Sequence, residues 1–597
     1  MANHLVQAVL SLGLSIVVIL CIVALVARNG YLDDDELMNT KAVYTMCKPT
    51  EYKDECKEAL KEVSLNASST KKDYIFAPFY SILKELQKGI DKASSSNLNN
   101  CEKLLGRAAE ELNQVLKVAN KTKIAKVADQ ADPILIFLTA VRAYQTTCID
   151  EIPDGSLKKD MNKTLEGALI NTFNAEKITY NIADILLEFG VDLGNFHFGH
   201  RRLLEEEEEE AVVDSPAWFS AADRTLLGGG GGDDKDDDDE DGEDDDKKKK
   251  DGYFKKPTCE DYFKTPQPEK LKRLKSGSGA QVTPDVVVAK DGSGDYKSIK
   301  KALDDCPKNH IGRYIIYIKA GTYKEGQLVV TKDQCNVFMY GDGRDKTIIT
   351  GDLGGDQDGG SFLSQTATFI AIGERFIAKS IGFKNTAQAV AFLSQSPHSV
   401  MVDCSFEGSQ NTVYYLTHDQ FYKNCSITGS VDFLTGSGRA FFQDCEITVT
   451  EPEKGQKCYI TADRRMKYEE AGGVVLQKCK IKADKDLKGD VKTYLGRPWK
   501  PQSTAVVIQS NMGDFIDPEG WSKMEDSSKG KKNHKTCMFK EYGNKGPGSD
   551  TEGRVKWKGF KAMKNKGDAG KYTPDPFMEA KGWLPNAGVK VEKGIKY

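Results

Sequence analysis

The stretches Val400-Met-Val-Asp-Cys404-Ser-Phe406 and Phe421-Tyr-Lys-Asn-Cys425-Ser-Ile427 repeat one pattern, a short alternating segment around a cysteine. Two further copies follow, Phe441-Phe-Gln-Asp-Cys445-Glu-Ile447 and Val475-Leu-Gln-Lys-Cys479-Lys-Ile481. The cysteines of the first three copies recur at nearly equal intervals. A period of about 20 residues with one short strand in each unit is typical of a β-solenoid, whose coils stack about 4.8 Å apart. The sequence therefore predicts a solenoid with these cysteines as a buried stack.

The repeat also predicts where a functional site lies. Counting seven residues past the cysteine reaches Asn411 in one coil and Asp432 in the next. Because the two positions are equivalent, we expect their side chains to be neighbours on one face. Gln410 lies beside the first, Gln388 one coil earlier and Arg497 in a later coil. The aromatic residues expected around this group are Tyr414, Tyr415, Phe433 and Trp499.

A carboxylate, an arginine, amides and aromatic rings together suit a carbohydrate ester or glycan site. The alternative is that Asp432 and Arg497 form an ordinary structural ion pair. Spacing alone leaves both interpretations open.

The part of the chain before the solenoid carries a helical pattern. The 597 residues are enough for two or three domains, and 39% hydrophobic residues allow a core. Between residues 40 and 200 one apolar stripe has spacings of 4, 3, 4 and 4 residues, formed by Cys101, Leu105, Ala108, Leu112 and Leu116. Leu165, Leu169 and Phe173 repeat this spacing. Short polar connections separate these segments, so the sequence predicts an antiparallel helical bundle.

Residues 201–282 differ from both neighbours in composition. Residues 205–256 carry 21 acidic and 8 basic side chains, whereas residues 283–597 carry 47 basic and 39 acidic ones. Such a segment cannot bury enough apolar surface to fold, so a solvated linker is predicted. Within it, Arg201-Arg-Leu-Leu204 and Arg224-Thr-Leu-Leu227 are candidate processing sites, because proteases cut exposed chain.

The basic charge of the C-terminal part favours an acidic polymer such as a polyuronate. The chain has no RNA-binding signature and no zinc-finger spacing, so nucleic acid is not an expected partner. The spacing of the 14 cysteines does not suggest zinc, and neither a metal nor a cofactor is expected.

The N-terminus predicts export. Leu5 to Ala27 is a 23-residue apolar run that Arg28 ends, and it indicates a signal peptide or an uncleaved signal anchor within residues 1–28. The sequence leaves those two open, and this segment is the expected membrane contact. Two disulfides are expected in the helical domain, from Cys47, Cys56, Cys101 and Cys148. N-glycosylation sequons begin at Asn66, Asn120, Asn162 and Asn424.

Several short strings resemble a known family. In order and spacing over residues 283–585 they are similar to plant pectin methylesterases: Gly321-Thr-Tyr-Lys-Glu325, Gln388-Ala-Val-Ala391, Gly429-Ser-Val-Asp-Phe433, Ile460-Thr-Ala462, Leu495-Gly-Arg-Pro-Trp499, Gly546-Pro-Gly-Ser549 and Gly553-Arg-Val-Lys-Trp557. The helical part, with the Cys47 and Cys56 pair and Ala140-Val-Arg-Ala-Tyr-Gln-Thr-Thr-Cys148, resembles the pectin methylesterase inhibitor domain.

This resemblance implies an N-terminal all-α helical bundle over residues 40–200 and a C-terminal all-β domain, a right-handed parallel β-helix, over residues 283–590. It implies a metal-free carboxylic ester hydrolase that acts on homogalacturonan, the methyl-esterified pectin of the cell wall. The expected location is the cell wall, after secretion. The expected partners are pectin and the chain's own inhibitor-like domain.

The resemblance also implies roles for individual residues. Asp432 matches the nucleophile that attacks the ester carbonyl, and Arg497 matches the arginine that pairs with it. Gln388 and Gln410 match the amides that stabilise the oxyanion. Trp499 matches a substrate-lining aromatic residue.

One position departs from the family. The usual string Tyr-Gln-Asp-Thr-Leu-Tyr is here Ser409-Gln-Asn-Thr-Val-Tyr414, so the proton-donating aspartate is Asn411. An amide cannot give a proton to methanol or take one from water. General acid–base catalysis is typically worth about 10²–10⁴-fold in rate, so a slow enzyme is expected. His418, seven residues further along, is expected on another face of the coil.

Three hypotheses follow. The first is a pectinesterase, slowed at Asn411 and made as a precursor with an inhibitor-like domain. The second is a catalytically silent wall protein that binds pectin. The third is that the helical domain itself works by inhibiting other pectin methylesterases.

Overall fold

The computed structural model describes residues 34–66, 68–194, 283–310, 312–354, 363–387, 389–525, 530–587 and 589–595. These residues fall into two compact units, with residues 146–158 grouped with the second. The apolar run Leu5–Ala27 and the predicted linker 201–282 lie outside the described residues. Within the described ranges, no helix is both long and apolar enough to cross a membrane.

Helices make up the chain from Asp34 to Glu188. Their bounds are α1 Asp34–Cys47, α2 Lys53–Ser64, α3 Lys71–Ser95, α4 Asn99–Lys121, α5 Ala131–Glu151, α6 Ser156–Tyr180 and α7 Ile182–Glu188. Thr70 caps α3: its hydroxyl accepts a hydrogen bond from the Asp73 N–H at 3.3 Å, and the Asp73 carboxylate accepts one from the Thr70 N–H at 2.7 Å. This reciprocal pair satisfies two N–H groups that a helix start leaves open.

The helical core forms where the apolar spacing predicts it. All five residues of the α4 stripe, from Cys101 to Leu116, are buried. Helices α3 and α6 approach closely at Gly89, where a Cβ atom would lie 2.4 Å from the Leu165 side chain. Cys47 and Cys56 are joined by a disulfide. Cys101 and Cys148 are each disulfide-bonded, and their pairing with each other stays a prediction.

The C-terminal part is a right-handed parallel β-helix, as predicted. Its strands are β1 Val286–Val288, β2 Tyr314–Ile318, β3 Gly321–Lys324, β4 Leu328–Val330, β5 Val337–Gly341, β6 Thr347–Gly351, β7 Phe369–Ala371, β8 Ile377–Lys379, β9 Gly382–Asn385, β10 Phe392–Ser394, β11 Ser399–Val402, β12 Ser405–Glu407, β13 Val413–Tyr415, β14 Asp419–Lys423, β15 Ser426–Gly429, β16 Leu434–Gly436, β17 Arg439–Gln443, β18 Glu446–Val449, β19 Cys458–Asp463, β20 Gly473–Gln477, β21 Lys480–Ala483, β22 Thr493–Gly496, β23 Thr504–Ile508, β24 Asn511–Met512, β25 Met538–Tyr542 and β26 Phe560–Ala562. Short helices are α8 Ile299–Asp304, α9 Lys566–Gly570 and α10 Pro574–Met578.

These strands form three parallel sheets. Sheet A has the order β1-β2-β5-β8-β11-β14-β17-β20-β23-β25-β26, sheet B runs from β24 to β3, and sheet C has the order β22-β19-β16-β13-β10-β7-β4. The middle coils therefore contribute one strand to each sheet, and each turns back onto the next coil. The core inside the coils is apolar, with rings such as Phe383 and Phe406 stacked 5.4 Å apart.

The predicted cysteine stack is present. Cys404, Cys425, Cys445 and Cys479 are free thiols with exposures of 0–1%. Each follows a residue in the left-handed conformation, with φ between 53° and 55°: Asp403, Asn424, Asp444 and Lys478. Each thiol donates to the carbonyl oxygen two residues earlier, at 3.3–3.5 Å. Burial raises the pKa of the Cys425 and Cys479 thiols well above the ordinary value, so these two thiols are structural rather than reactive.

The string from Gly546 to Trp557 closes the last coils. Arg554 donates to the Glu541 carboxylate from Nε at 2.8 Å, and the Trp521 indole donates to the same carboxylate at 3.1 Å. Gly548 lies so close to the neighbouring coil that a Cβ atom would be 2.1 Å from the Gly513 carbonyl oxygen. This string therefore serves the fold.

One buried carboxyl group makes the β-helix sensitive to pH. Asp463, at the end of β19, is 1% exposed. Its Oδ1 accepts hydrogen bonds from the backbone N–H groups of Thr504 at 2.7 Å and Arg465 at 3.2 Å. Its Oδ2 accepts none from the described residues. Burial raises the pKa of Asp463 from 3.8 to about 7.

We predict that Asp463→Asn stabilises the protein at pH 8 and has little effect near pH 4. The folded state binds more protons than the unfolded state between the ordinary pKa and about 7, so the native side chain loses stability as pH rises through that window. The loss at pH 8 is on the order of 1–4 kcal/mol. Thermal melts at both pH values test this, with exposed Asp345→Asn as the control. Equal melting shifts for Asp463→Asn at pH 4 and pH 8 would contradict it.

Candidate active site

The strand register brings the two predicted residues onto adjacent coils. Val413 lies opposite Leu434 in sheet C, and the same register, continued two residues back, places Asn411 beside Asp432. A bridge between Gln410 and Val431 continues this pairing before the strands begin. The Asn411 N–H donates to the Val431 carbonyl oxygen at 3.2 Å.

Both residues have a backbone conformation that few side chains tolerate. Asn411 has φ = 54° and Asp432 has φ = 50°, in the left-handed region. Asn and Asp are the non-glycine residues that adopt this region most readily. The turn beneath them is held by Ser409 and Ser430, whose hydroxyl oxygens are 2.7 Å apart. The backbone conformation thus fixes the direction of the Cα–Cβ bond at both residues.

Asp432 is held by Arg497. Asp432 is fully buried, and Arg497 is 6% exposed. The guanidinium donates from Nε to Oδ1 at 2.9 Å and from Nη2 to Oδ2 at 2.6 Å. This two-point contact fixes the orientation of the carboxylate group. The predicted ion pair therefore exists, and its geometry is compatible with both a structural and a catalytic role.

Asn411 lies next to this pair and is 3% exposed. Its Oδ1 accepts no hydrogen bond from any residue that the structure describes. A buried amide oxygen without a partner costs about 1–3 kcal/mol. This oxygen is therefore suited to accept a hydrogen bond from a substrate hydroxyl or a water molecule.

The other residues predicted at the site are not all found there. Gln410 is exposed and Trp499 is half-buried. Gln388 lies outside the described residues. Tyr415 and Phe433, predicted to surround the site, belong to the apolar core inside the coils instead. Tyr414 points the other way and meets Arg464, whose Nη1 donates to the tyrosine hydroxyl.

Three residues at the site were missed by the repeat analysis. The Arg497 guanidinium carbon lies 4.0 Å from the ring centroid of Tyr459, and the Tyr459 and Tyr494 rings stack 5.8 Å apart. Arg464 lies over the Trp499 ring at 5.4 Å. Tyr459 could have been considered because it directly precedes the Ile460-Thr-Ala462 string. The coils are longer there, so the repeat does not predict which residue of the next coil it lies opposite.

These aromatic contacts shape the electrostatics of the site. Burial raises the pKa of Tyr459 and raises that of Tyr494 to about 12, so both phenols are neutral at physiological pH. The Tyr459 ring face favours the guanidinium charge, which orients Arg497 towards Asp432. Across the described residues, no group of three or more His, Cys, Asp or Glu side chains is arranged to hold a metal ion.

The glycosylation sequons differ in environment. Asn66 and Asn162 are exposed. Asn424 is exposed too, but its amide donates to the Asp403 carboxylate at 2.7 Å, and an attached glycan would alter this contact. The side chain of Asn120 lies outside what the structure describes.

Comparison with known proteins matches both parts of the chain. Residues 285–581 match the pectinesterase family model, and residues 41–186 match that of plant invertase/pectin methylesterase inhibitor. Putative pectinesterase/pectinesterase inhibitor 45 of Arabidopsis thaliana is 33% identical over 581 residues, covering 93% of this chain and 84% of that protein. Pectinesterase 5 of the same plant is 32% identical, and the alignment covers 100% of both chains.

The chain belongs to the pectinesterase/pectinesterase inhibitor family. Among solved structures, pectin methylesterase from carrot is 39% identical, with a TM-score of 0.50, over 53% of this chain and 99% of the carrot chain. This family membership gives the Asp432 and Arg497 pair a chemical context. The departure from the family's usual string that the sequence predicts at Asn411 stays a prediction.

Proposed function

We propose that this chain hydrolyses the methyl esters of cell-wall homogalacturonan, giving pectate and methanol. The observation that carries the proposal is the buried Asp432 carboxylate, held at two points by Arg497 beside Asn411. An ionised carboxylate is the nucleophilic form, and the adjacent guanidinium stabilises its charge. Family membership supplies the substrate class, because the matching relatives are named pectinesterases.

The reaction we propose begins when an Asp432 oxygen attacks the ester carbonyl carbon. The carbonyl oxygen becomes an oxyanion, and the amide N–H groups of Gln410 and Gln388 are proposed to stabilise it. Collapse of this intermediate breaks the bond to the methoxy group, which takes a proton and leaves as methanol. The product bound to the protein is an anhydride between Asp432 and the galacturonate carboxyl group. A water molecule then attacks the anhydride, loses a proton and frees both carboxylates.

Arg497 and Trp499 have supporting roles in this proposal. Arg497 keeps the Asp432 carboxylate oriented, and Tyr459 beneath the guanidinium limits its movement. Trp499, half-buried beside Arg464, is proposed to line the path of the sugar chain.

Asn411 affects the two proton-transfer steps of the proposed reaction. An amide has no proton to give to methoxide and cannot take one from water. The amide can still orient a water molecule through its buried Oδ1, and that water is proposed to carry the proton at a reduced rate. A slow esterase is the expected result. A protein that binds pectin without turnover is the second candidate, favoured by the same substitution.

The remaining parts of the chain have proposed roles in export and control. Residues 1–28 are proposed to direct secretion to the cell wall as a signal peptide or anchor, and residues 201–282 to link the two domains and contain the processing sites. Residues 40–200 are proposed to act as an inhibitor-like pro-region. Inhibition of other pectin methylesterases by this domain is a third candidate function, supported by the inhibitor family match. Glycosylation is proposed at Asn66, Asn120, Asn162 and Asn424.

We predict that Asp432→Asn abolishes methanol release from methyl-esterified pectin while pectin affinity changes little. The amide keeps the shape of the carboxylate but is not a nucleophile. Arg497→Lys should also reduce turnover, because an ammonium group cannot reproduce the two-point contact of the guanidinium. Methanol release and pectin affinity are measured together for the wild type and both variants. A wild type that binds pectin but releases no methanol above background would favour the silent binding protein.

We predict that Asn411→Asp raises turnover by about tenfold or more, because it restores a group that donates and accepts protons next to Asp432. The substitution preserves shape and suits the left-handed backbone, so stability should change little. Asn97→Asp, at an exposed left-handed position in the helical part, is the matched control and should leave turnover unchanged. An unchanged rate in Asn411→Asp would mean that another group supplies the proton.

A further inference from the structure

The turn of residues 497–503 connects strands β22 and β23 and carries two side chains of the candidate site. Arg497, its first residue, holds the Asp432 carboxylate, and the Trp499 ring lies beneath the Arg464 guanidinium. The position of this turn therefore determines where the guanidinium and the ring lie relative to Asp432. Its residues belong to neither strand, so hydrogen bonds outside the sheets have to fix its position.

One short segment, residues 461–465, binds this turn at both ends. The segment consists of the end of β19 and the two residues after it. At the start of the turn, the Arg497 N–H donates to the Thr461 carbonyl oxygen at 3.0 Å. At its end, the Gln502 N–H donates to the Arg465 carbonyl oxygen at 3.1 Å.

Asp463 lies at the centre of this segment and adds further contacts. Its Oδ1 accepts hydrogen bonds from the N–H of Thr504, which directly follows the turn, at 2.7 Å and from the N–H of Arg465 at 3.2 Å. Its backbone carbonyl oxygen accepts a hydrogen bond from the Ser503 hydroxyl. The Ser503 hydroxyl in turn accepts one from the Lys500 N–H at 3.0 Å. One residue therefore holds the end of the turn through both its side chain and its backbone.

These contacts are buried. Asp463, Ser503 and Thr504 are all shielded from solvent. Water therefore cannot replace a lost acceptor there, and a buried N–H without a partner is costly. A gain in overall stability does not account for the Asp463 carboxyl group, because its burial makes the fold less stable as pH rises through about 7. What the carboxyl group contributes is the fixed position of the turn.

The next coil holds the opposite side of the turn. The Asn533 amide donates to the Trp499 carbonyl oxygen at 2.9 Å and to the Pro498 carbonyl oxygen at 3.2 Å. Loss of the Asp463 contacts would therefore leave the turn attached on one side. We expect a turn that is displaced by such a loss rather than unfolded.

We infer that Asp463 is a positioning residue for the proposed reaction, holding the 497–503 turn so that Arg497 and Trp499 keep their places beside Asp432. This inference rests on the proposed function, in which Arg497 orients the nucleophile. Asp463 acts through the turn and not on the substrate. A misplacement of about 1 Å in such an arrangement can lower the rate by about 10²-fold, even when its cause is remote from the reacting atoms.

The test uses four variants of the full chain. Asp463→Ala removes the side-chain acceptor, whereas Asp463→Asn keeps an oxygen at the Oδ1 position. Ser503→Ala removes only the hydroxyl that reaches the Asp463 backbone, and exposed Asp345→Ala is the control. All are measured at pH 6, below the Asp463 pKa of about 7, so that the native carboxyl group is mostly neutral like the amide.

Hydrogen–deuterium exchange reports on the turn directly. Peptides that cover residues 497–504 should exchange about fivefold faster or more in Asp463→Ala, because the N–H groups of the turn lose protection. A smaller increase in the same peptides is expected for Ser503→Ala. Asp463→Asn and Asp345→Ala should resemble the wild type. Peptides from β9 to β12, several coils away, should exchange equally in all variants.

Turnover on methyl-esterified pectin reports on the positioning role. We expect kcat to fall about tenfold or more in Asp463→Ala while KM changes by less than about threefold, and Asp463→Asn to restore most of the rate. In an Arg497→Lys background, Asp463→Ala should lower kcat by less than about threefold, because Asp463 acts through Arg497. A purely structural role would lower kcat by the same factor in both backgrounds.

Unchanged exchange of residues 497–504 in Asp463→Ala, or a kcat within about twofold of the wild type, would overturn the inference. Equal losses of kcat in the two backgrounds would overturn it as well. Should Asp463→Ala fail to fold, Ser503→Ala is judged by the same criteria. A wild type that releases no methanol would defeat the proposed esterase function, whereas the exchange measurement would still decide whether Asp463 holds the turn.

Discussion

The in-register stacking of coils is the constraint on which the rest of this molecule depends. Parallel pairing in three sheets makes residues that are one coil apart in sequence neighbours in space. The same pairing stacks the four cysteines in the core and brings Asn411 beside Asp432 at the candidate site. A shift of one residue would exchange inward and outward side chains and separate the site. Fold and chemistry are therefore specified by one register.

Within that frame, Arg497 stabilises the Asp432 carboxylate that we propose as the nucleophile. A buried carboxylate is expensive unless a partner with good geometry compensates for lost hydration. Arg497 provides that compensation through two hydrogen bonds, and Tyr459 packs on its other face. A group fixed in this way needs little reorganisation before it attacks a substrate. Asn411, in contrast, fits the left-handed backbone, but its amide cannot donate or accept a proton as a carboxyl group does.

How far the sequence predicts the structure depends on how regular the coils are. The cysteine period located the strands from β11 to β18 and paired Asn411 with Asp432, because these coils are nearly equal in length. Beyond them the coils become longer: Leu434 lies opposite Thr461, and Cys458 lies opposite Thr493. Inserted turns interrupt the period of about 20 residues there. The repeat therefore could not predict that Tyr459, Tyr494 and Arg464 lie at the site.

The second limit on prediction from the sequence was the direction in which each side chain points. Tyr415 and Phe433 are close in sequence to Asn411 and Asp432, yet both lie in the apolar core. The left-handed residues at 411 and 432 change the chain direction just before the strands, and the sequence alone does not show where alternation restarts. The helical part was easier to predict, because its apolar stripes at helical spacing fix the buried face directly.

The central claim is that Asp432 forms a covalent bond with the substrate, and trapping that bond tests it most directly. Hydroxylamine added during incubation with methyl-esterified pectin would attack either carbonyl carbon of the anhydride. Attack at the Asp432 carbon converts that side chain to a hydroxamate and frees the galacturonate carboxylate; attack at the other carbon places the hydroxamate on the polymer and frees Asp432. Peptide mass spectrometry should find the hydroxamate at Asp432 with esterified pectin and not with de-esterified polygalacturonate. Methanol release with no hydroxamate at Asp432 and no protein-dependent hydroxamate on the polymer, under conditions that trap a reference acyl anhydride, would contradict the account.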